Sequence, residues 1–190
     1  MTAILDSAAL LPGFADPVLG SQSVFRAVLD AMSRPGRPVA CPEPVAAPAP
    51  LVDFDTPTWL DPALATPAVQ SFLRFHTGAP LVADPAAAAF LLVADAAALP
   101  RLGGLTLGED RYPDRSATLV VEVPALDGPE AGRFTGPGIE TAEPARIAGL
   151  PAWFREDWAA NGAAYPLGVD CLLTCGGRML GLPRTTRWEG

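Results

Sequence analysis

The segment Val169-Asp170-Cys171-Leu172-Leu173-Thr174-Cys175-Gly176-Gly177-Arg178-Met179-Leu180-Gly181-Leu182-Pro183 decides the fold class. Two apolar, β-prone runs flank a Gly-Gly pair, and two residues free to take positive φ select a two-residue hairpin turn of the primed type. Counting back from the turn pairs Cys175 with Arg178 and Asp170 with Pro183. The first run is apolar on both faces, which places it in the interior of a sheet. Its alternation sets Cys171, Leu173 and Cys175 on one side, where they suit buried packing. The CxxxC spacing also occurs in radical-SAM cluster loops, but the third cysteine is missing.

Upstream, helical and strand patterns alternate. A helix begins near Ser21 or Ser23, carries Val24, Phe25, Val28, Leu29 and Met32 on one face, and stops at Ser33 and Arg34 before Pro35-Gly36. Pro38 to Pro50 contains too many prolines for a helix and reads as a short strand followed by an extended connection. A second helix starts at Thr66-Pro67, presents Val69, Phe72, Leu73 and His76, and ends before Gly78 and Pro80. Phe90–Val93 and Thr118–Val123 read as strands, Asp95 to Arg101 is an Ala-rich stretch, and a third helix is expected from about Pro151 to Asn161. Helices interleaved with strands, closed by a hairpin, predict an α/β domain with a mixed sheet. Residues 1–190 fit one domain, with 1–20 as an N-terminal extension and 38–50 as a Pro-rich connection.

Composition excludes whole classes of chemistry. The 190 residues include 13 arginines, no lysine and one histidine, with 21 acidic residues and a net charge of −8. Without lysine there is no Schiff base to pyridoxal phosphate, no GxxxxGK[ST] loop, no kinase strand lysine and no SxxK pair. A bias toward alanine, with 22 prolines and 18 glycines, accounts for the missing lysine without selection, and the exclusion holds whatever its cause. The arginines are spread singly from Arg26 to Arg187, so no basic tract offers itself to DNA or RNA. The three cysteines, an odd number in a chain of this size, are expected to be reduced thiols in a cytoplasmic protein, with no metal site. No basic residue precedes Arg26, unlike a secretory signal. The ten-residue apolar run Pro85–Ala94 is short against the roughly 20 residues that span a bilayer.

Several clusters could carry chemistry. Asp53-Phe54-Asp55-Thr56 resembles the aspartate loop of haloacid-dehalogenase-type phosphatases, but only Leu51 and Val52 precede it, and Asp55 and Thr56 suit a turn before Pro57. Gly136-Pro137-Gly138 lacks the GxGxxG pattern and reads as a turn. Arg74, His76 and Thr77 sit at a helix end, as packing groups or as an anion and proton site. Two helical steps hold Arg74 and His76 about 200° apart unless the helix unwinds. The hairpin register brings Asp170 to Arg184, Thr185 and Thr186. This is either an ordinary ion pair or a fork with two hydroxyls for a phosphate or phosphonate oxyanion.

Six short motifs carry a resemblance. They are Phe25-Arg26 to Ala31-Met32-Ser33-Arg34-Pro35-Gly36, Asp55-Thr56-Pro57-Thr58-Trp59-Leu60, Arg74-Phe75-His76-Thr77-Gly78-Ala79-Pro80, Thr135-Gly136-Pro137-Gly138-Ile139, Pro166-Leu167-Gly168-Val169-Asp170 and Pro183-Arg184-Thr185-Thr186. In this order they resemble the PhnH family, a subunit of the bacterial carbon-phosphorus lyase system. The resemblance implies a core-complex subunit in organic phosphonate catabolism, with the other core subunits as partners and a homodimeric state. That complex transfers the ribose triphosphate part of ATP, its substrate, to an alkylphosphonate and releases adenine. A separate radical-SAM subunit then breaks the carbon-phosphorus bond. It further implies a three-layer α/β/α fold like that of pyridoxal-phosphate transferases, with no such cofactor in this chain. Whether this subunit has an active site of its own stays open: it is architectural, or it supplies a phosphate- or phosphonate-binding pocket from Arg74, His76, Thr77, Asp170, Arg184, Thr185 and Thr186.

Overall fold

A computed structural model describes residues 13–41 and 49–190. Most of the expected N-terminal extension, and residues 42–48 of the Pro-rich connection, lie outside the described residues. The expected α/β class with a mixed sheet is present.

Helix α1 (Pro17–Ser33) starts four residues before Ser21. The Asp16 carboxylate accepts hydrogen bonds from the amides of Val18 and Leu19, and Pro17 occupies the first turn, where its missing N–H costs nothing. Strand β1 (Val39–Ala40) follows, then β2 (Thr58–Leu60). Helix α2 (Pro67–His76) begins as expected, with the Thr66 hydroxyl accepting from the Val69 amide. Strand β3 (Phe90–Val93) leads to an arm formed by β4 (Leu107–Glu109) and β5 (Tyr112–Ser116). Next come β6 (Thr118–Glu122), β7 (Arg133–Thr135) and β8 (Glu143–Pro144). Helix α3 (Phe154–Ala163) starts later than Pro151, because the Pro151 carbonyl first closes a turn with the Phe154 amide. Strands β9 (Asp170–Cys175), β10 (Arg178–Leu182) and β11 (Arg187–Glu189) complete the fold.

The main sheet runs β1-β10-β9-β6-β3-β2. β2, β3, β6 and β9 pair in parallel, while β10 and β1 are antiparallel additions. The hairpin has the register read from sequence, Arg178 opposite Cys175 and Leu182 opposite Cys171. Gly176 and Gly177 take φ of 53° and 80°, which side chains other than glycine's adopt reluctantly. A smaller sheet, β11-β7-β8, packs near α3.

Both faces of the main sheet are covered, and the alternation of its strands shows how. Leu91, Leu119, Val121, Cys171 and Leu173 join a core with Phe154 and Trp158 of α3. Their sequence neighbours Leu92, Val120 and Leu172 join a second core with Val24 and Val28 of α1 and Leu73 of α2. Asp61 is wholly buried between the ends of two strands, where its carboxylate accepts from the amides of Leu64, Ala94 and Asp95 at 2.8, 2.9 and 3.0 Å. Those three bonds supply the partners that a buried carboxylate requires.

Two expectations about helix faces need correction. On α1, Val24 and Val28 are buried, but Phe25 and Leu29 point to solvent, because only the arc holding Val24, Ala27, Val28 and Ala31 touches the sheet. On α2, only Leu73 is fully buried, and His76 is exposed.

Candidate functional site

Four of the six motifs meet around the 135–139 turn and the 183–186 loop, and backbone makes the contacts of the turn. The Thr135-Gly136-Pro137-Gly138-Ile139 segment is a turn closed by the Ile139 amide on the Gly136 carbonyl at 3.1 Å. A Cβ at Gly136 would sit 2.8 Å from the Thr185 carbonyl oxygen, and one at Gly138 would strike the Ser33 carbonyl oxygen at the end of α1. Both glycines have positive φ. The turn is therefore wedged between the end of α1 and the Pro183-Arg184-Thr185-Thr186 loop, and glycine is required there by close approach.

The loop's outer side and α3 form a groove of about 800 Å³. Its walls include Gly136, Pro137, Trp158, Gly162, Tyr165 and Trp188, with Arg184, Thr185, Thr186 and Arg187 along the loop. Helix α3 fixes the loop through the Trp158 indole N–H, which donates to the Thr186 carbonyl at 2.9 Å. One turn further on, Asn161 exchanges two hydrogen bonds with the Val169 backbone at 2.9 and 2.7 Å, anchoring the entry to β9. The Thr186 hydroxyl is buried without a hydrogen-bond partner among the described residues.

Asp170 and Arg184 come together as the hairpin register requires. The Asp170 carboxylate accepts from the Arg184 backbone amide at 2.7 Å, from Nε at 3.2 Å and from Nη2 at 2.5 Å. Nη1 donates to the carbonyls of Pro113 at 2.8 Å and Pro166 at 3.3 Å, and Nη2 also donates to the Ser116 hydroxyl at 2.5 Å. A guanidinium has five N–H donors, and these contacts use all five. The arginine therefore ties β5, the loop after α3 and the hairpin into one unit, and has no donor left for a bound oxyanion. Ser116, Pro113, Trp158 and Asn161 were not singled out from sequence. A carbonyl carries no residue signature, and the tryptophan and asparagine look like ordinary helix residues until α3 is docked.

Arg74, His76 and Thr77 lie elsewhere, on the α1/α2 side of the sheet. Helix α2 continues through His76, so Arg74 and His76 project in different directions, and both are exposed. The His76 ring packs on Phe72 at 4.5 Å and Phe75 at 5.0 Å between centroids. Thr77 ends the helix: its hydroxyl donates to the Leu73 carbonyl at 2.7 Å and accepts from the Ala79 amide at 3.1 Å. The candidates thus form two separate groups.

The remaining clusters are structural. The Asp53 carboxylate accepts from the Asp55 amide and the Thr56 hydroxyl, forming the turn before Pro57. The Thr56 hydroxyl, and then the Asp55 amide, hold the Asp53 carboxyl below its ordinary range. Asp157 of α3 receives a forked pair from Arg101 and the Leu102 amide. Burial pushes the Cys171 thiol up, and the neighbouring Asp170 charge adds to this, so the thiol stays protonated and inert. Among the described residues no group of three His, Cys, Asp or Glu side chains is placed to hold a metal ion. No described helix is long and apolar enough to cross a membrane. The groove walls hold no carboxylate, histidine or thiol, so it can bind or dock but offers no nucleophile paired with a base.

Comparison with known proteins matches this chain to one family. The family model for bacterial phosphonate metabolism protein PhnH covers residues 12–189. A relative from Rhizobium meliloti (strain 1021), named alpha-D-ribose 1-methylphosphonate 5-triphosphate synthase subunit PhnH, is 43% identical over 187 residues, covering 93% of this chain and 94% of its own. HtxG of Stutzerimonas stutzeri, named as a C-P lyase subunit protein, is 40% identical over 93 residues, covering 47% of this chain and 43% of its own. With the family pattern running from before α1 through β11, this chain belongs to the PhnH family of bacterial phosphonate metabolism proteins.

Proposed function

We propose that this chain is a core subunit of a carbon-phosphorus lyase complex in organic phosphonate catabolism. There it supports transfer of the ribose triphosphate moiety of ATP to an alkylphosphonate with release of adenine. The near full-length similarity to a subunit of the ribose 1-methylphosphonate 5-triphosphate synthase supports this reading. Within the complex its role is architectural, and it works with the other core subunits, as a homodimer in isolation, in the cytoplasm. Its fold is that of pyridoxal-phosphate transferases, and the absence of lysine removes that cofactor's usual anchor.

The observation that carries the architectural role is the saturation of Arg184. The residue best suited to grip a phosphonate spends every donor on Asp170, Ser116 and two backbone carbonyls. The test reconstitutes the transfer with the partner subunits and follows adenine release from ATP and methylphosphonate. Turnover should require this chain, and His76→Ala and Arg187→Ala should leave it within about twofold once the complex assembles. Turnover without the chain would remove the subunit reading. A loss of about 100-fold in an intact complex would instead make the chain a source of the phosphonate-binding pocket, since such a loss corresponds to about 2.7 kcal/mol of transition-state stabilisation.

A further inference from the structure

Six of the seven large apolar side chains exposed among the described residues lie on the α1/α2 side of the sheet: Val18, Leu19, Phe25, Leu29, Phe54 and Phe75. On α1, Val18, Phe25 and Leu29 fall within about 40° of arc, so they form one stripe along the helix. Val24, Ala27, Val28 and Ala31, which the sheet buries, occupy a different arc. The helix is thus apolar on two sides and uses one of them for its own core. Phe54 and Phe75 lie near the segment that leads into the same helix. The ring of His76 lies against Gly13, where a Cβ would meet it at 2.8 Å, and Gly78 lies against Phe54. Phe75 stays 61% exposed and Phe54 71% exposed, although each has a core within one turn of chain. Exposed apolar residues scattered singly need no explanation, but a stripe of this extent marks an interaction surface. A 17-residue helix spans about 25 Å, roughly the breadth of one side of a standard protein interface.

We infer that the outer face of α1, together with Phe54 and Phe75, docks a non-identical subunit whose matching surface is apolar and rimmed by carboxylates. This rests on the subunit reading above. Two charges choose the occupant. Arg26 lies on α1 beside the stripe and Arg74 lies on α2 beside Phe75, and neither is in an ion pair among the described residues. Both are exposed, and carboxylates on a partner would complement them. A second copy does not provide them. An antiparallel pairing of two α1 helices that lays Val18 on Leu29 sets Asp30 of one copy beside Asp16 of the other and leaves Arg26 against Leu19. A parallel pairing puts the two Arg26 side chains on opposite flanks of the seam, with no carboxylate of the other α1 facing either. Either way a second α1 offers Arg26 no carboxylate, so the complementary charge has to come from a different surface.

The test measures the affinity of this chain for the assembled remainder of the complex. Phe25→Glu and Leu29→Glu, at surface positions, should each weaken it about 100-fold while melting within about 2 °C of wild type. Arg26→Glu should weaken it about tenfold, and rising salt should weaken the wild type more than Arg26→Glu. Failure of the wild type to bind would remove the subunit reading itself. Binding of Phe25→Glu and Leu29→Glu within twofold of a wild type that does bind would remove only this face. Two further results would assign the face to another occupant. One is a wild-type dimer in light scattering that Leu29→Glu converts to monomer, which would make it a surface for a second copy. The other is a gain of about tenfold in affinity on removing residues 1–12, which would assign it to the chain's own N-terminal segment.

Discussion

Replacing Arg184 with methionine separates a structural clamp from a ligand-binding fork. Methionine keeps much of the side-chain length but removes all five donors. Asp170 would retain only the backbone amide of residue 184, and the Pro113 and Pro166 carbonyls would lose a charged donor. Breaking a buried ion pair from one side costs about 3–5 kcal/mol. The two side chains keep 13% and 21% of their exposure, so solvent recovers part of that cost and about 3 kcal/mol is expected. For a chain of this size each kcal/mol moves the melting temperature by roughly 2–4 °C, giving a fall of about 6–12 °C by calorimetry. Arg184→Lys keeps the charge but cannot satisfy acceptors on three sides, and should lie about halfway between. A double-mutant cycle with Asp170→Asn should show a coupling of about 1.5 kcal/mol or more. An arginine held ready for a ligand behaves differently: removing it leaves the empty protein equally stable or more so. Arg184→Met melting within about 2 °C of wild type, with no coupling to Asp170, would refute the clamp.

Two further predictions test the packing of the helices. Hydrogen bonds from Arg101, opposed by burial, hold the Asp157 carboxyl below its ordinary range. A folded pKa below the unfolded value of about 3.9 gives stability that is complete above that value and lost as pH falls through the folded one. Asp157→Asn should therefore be less stable than wild type at pH 7 in urea denaturation, with the gap narrowing below about pH 3.9, and a pH-independent gap would contradict the pairing. At Gly181 on β10 a Cβ would stand 2.5 Å from the Ala31 carbonyl oxygen and 2.9 Å from the Met32 amide nitrogen, so Gly181→Ala must push α1 off the sheet. The expected loss is about 3 kcal/mol, against about 1 kcal/mol or less for Gly176→Asn in the open turn, and equal melting of the two variants would mean that α1 does not lie so close.

The parts of the fold legible in sequence are those whose signal is local. Gly176-Gly177 fixed the hairpin register because a two-residue turn leaves no other pairing, and Thr66-Pro67 marked the start of α2 because capping chemistry is confined to one turn. Strands β2, β7 and β11 gave no such signal. Each is three residues long, too short to show a period, and each forms because a neighbour supplies its hydrogen bonds: β3 for β2, and β7 with β11 for each other. The start of α1 was missed for a different reason. Gly20 and Ser21 do not look helical by propensity, yet Asp16 and Pro17 together offset that weakness.

The helix face of α1 shows where hydrophobic periodicity stops being informative. Val24, Phe25, Val28, Leu29 and Met32 read as one wide apolar face because spacing records which side of a helix avoids water, not which surface it meets. The sheet takes Val24 and Val28, and Phe25 and Leu29 face solvent. A single wide stripe in sequence therefore covers two faces, one packed on this chain's own core and one exposed. The Arg184 cluster shows the reverse limit. Asp170 and Arg184 were paired correctly from the hairpin register, but their role depended on Pro113, Pro166 and Ser116, which reach the guanidinium only after the β4–β5 arm and the loop after α3 have folded over it. An arginine beside two threonines is equally consistent with a phosphate grip and with a brace. The number of its donors already spent within the chain decides between them, and here none remains.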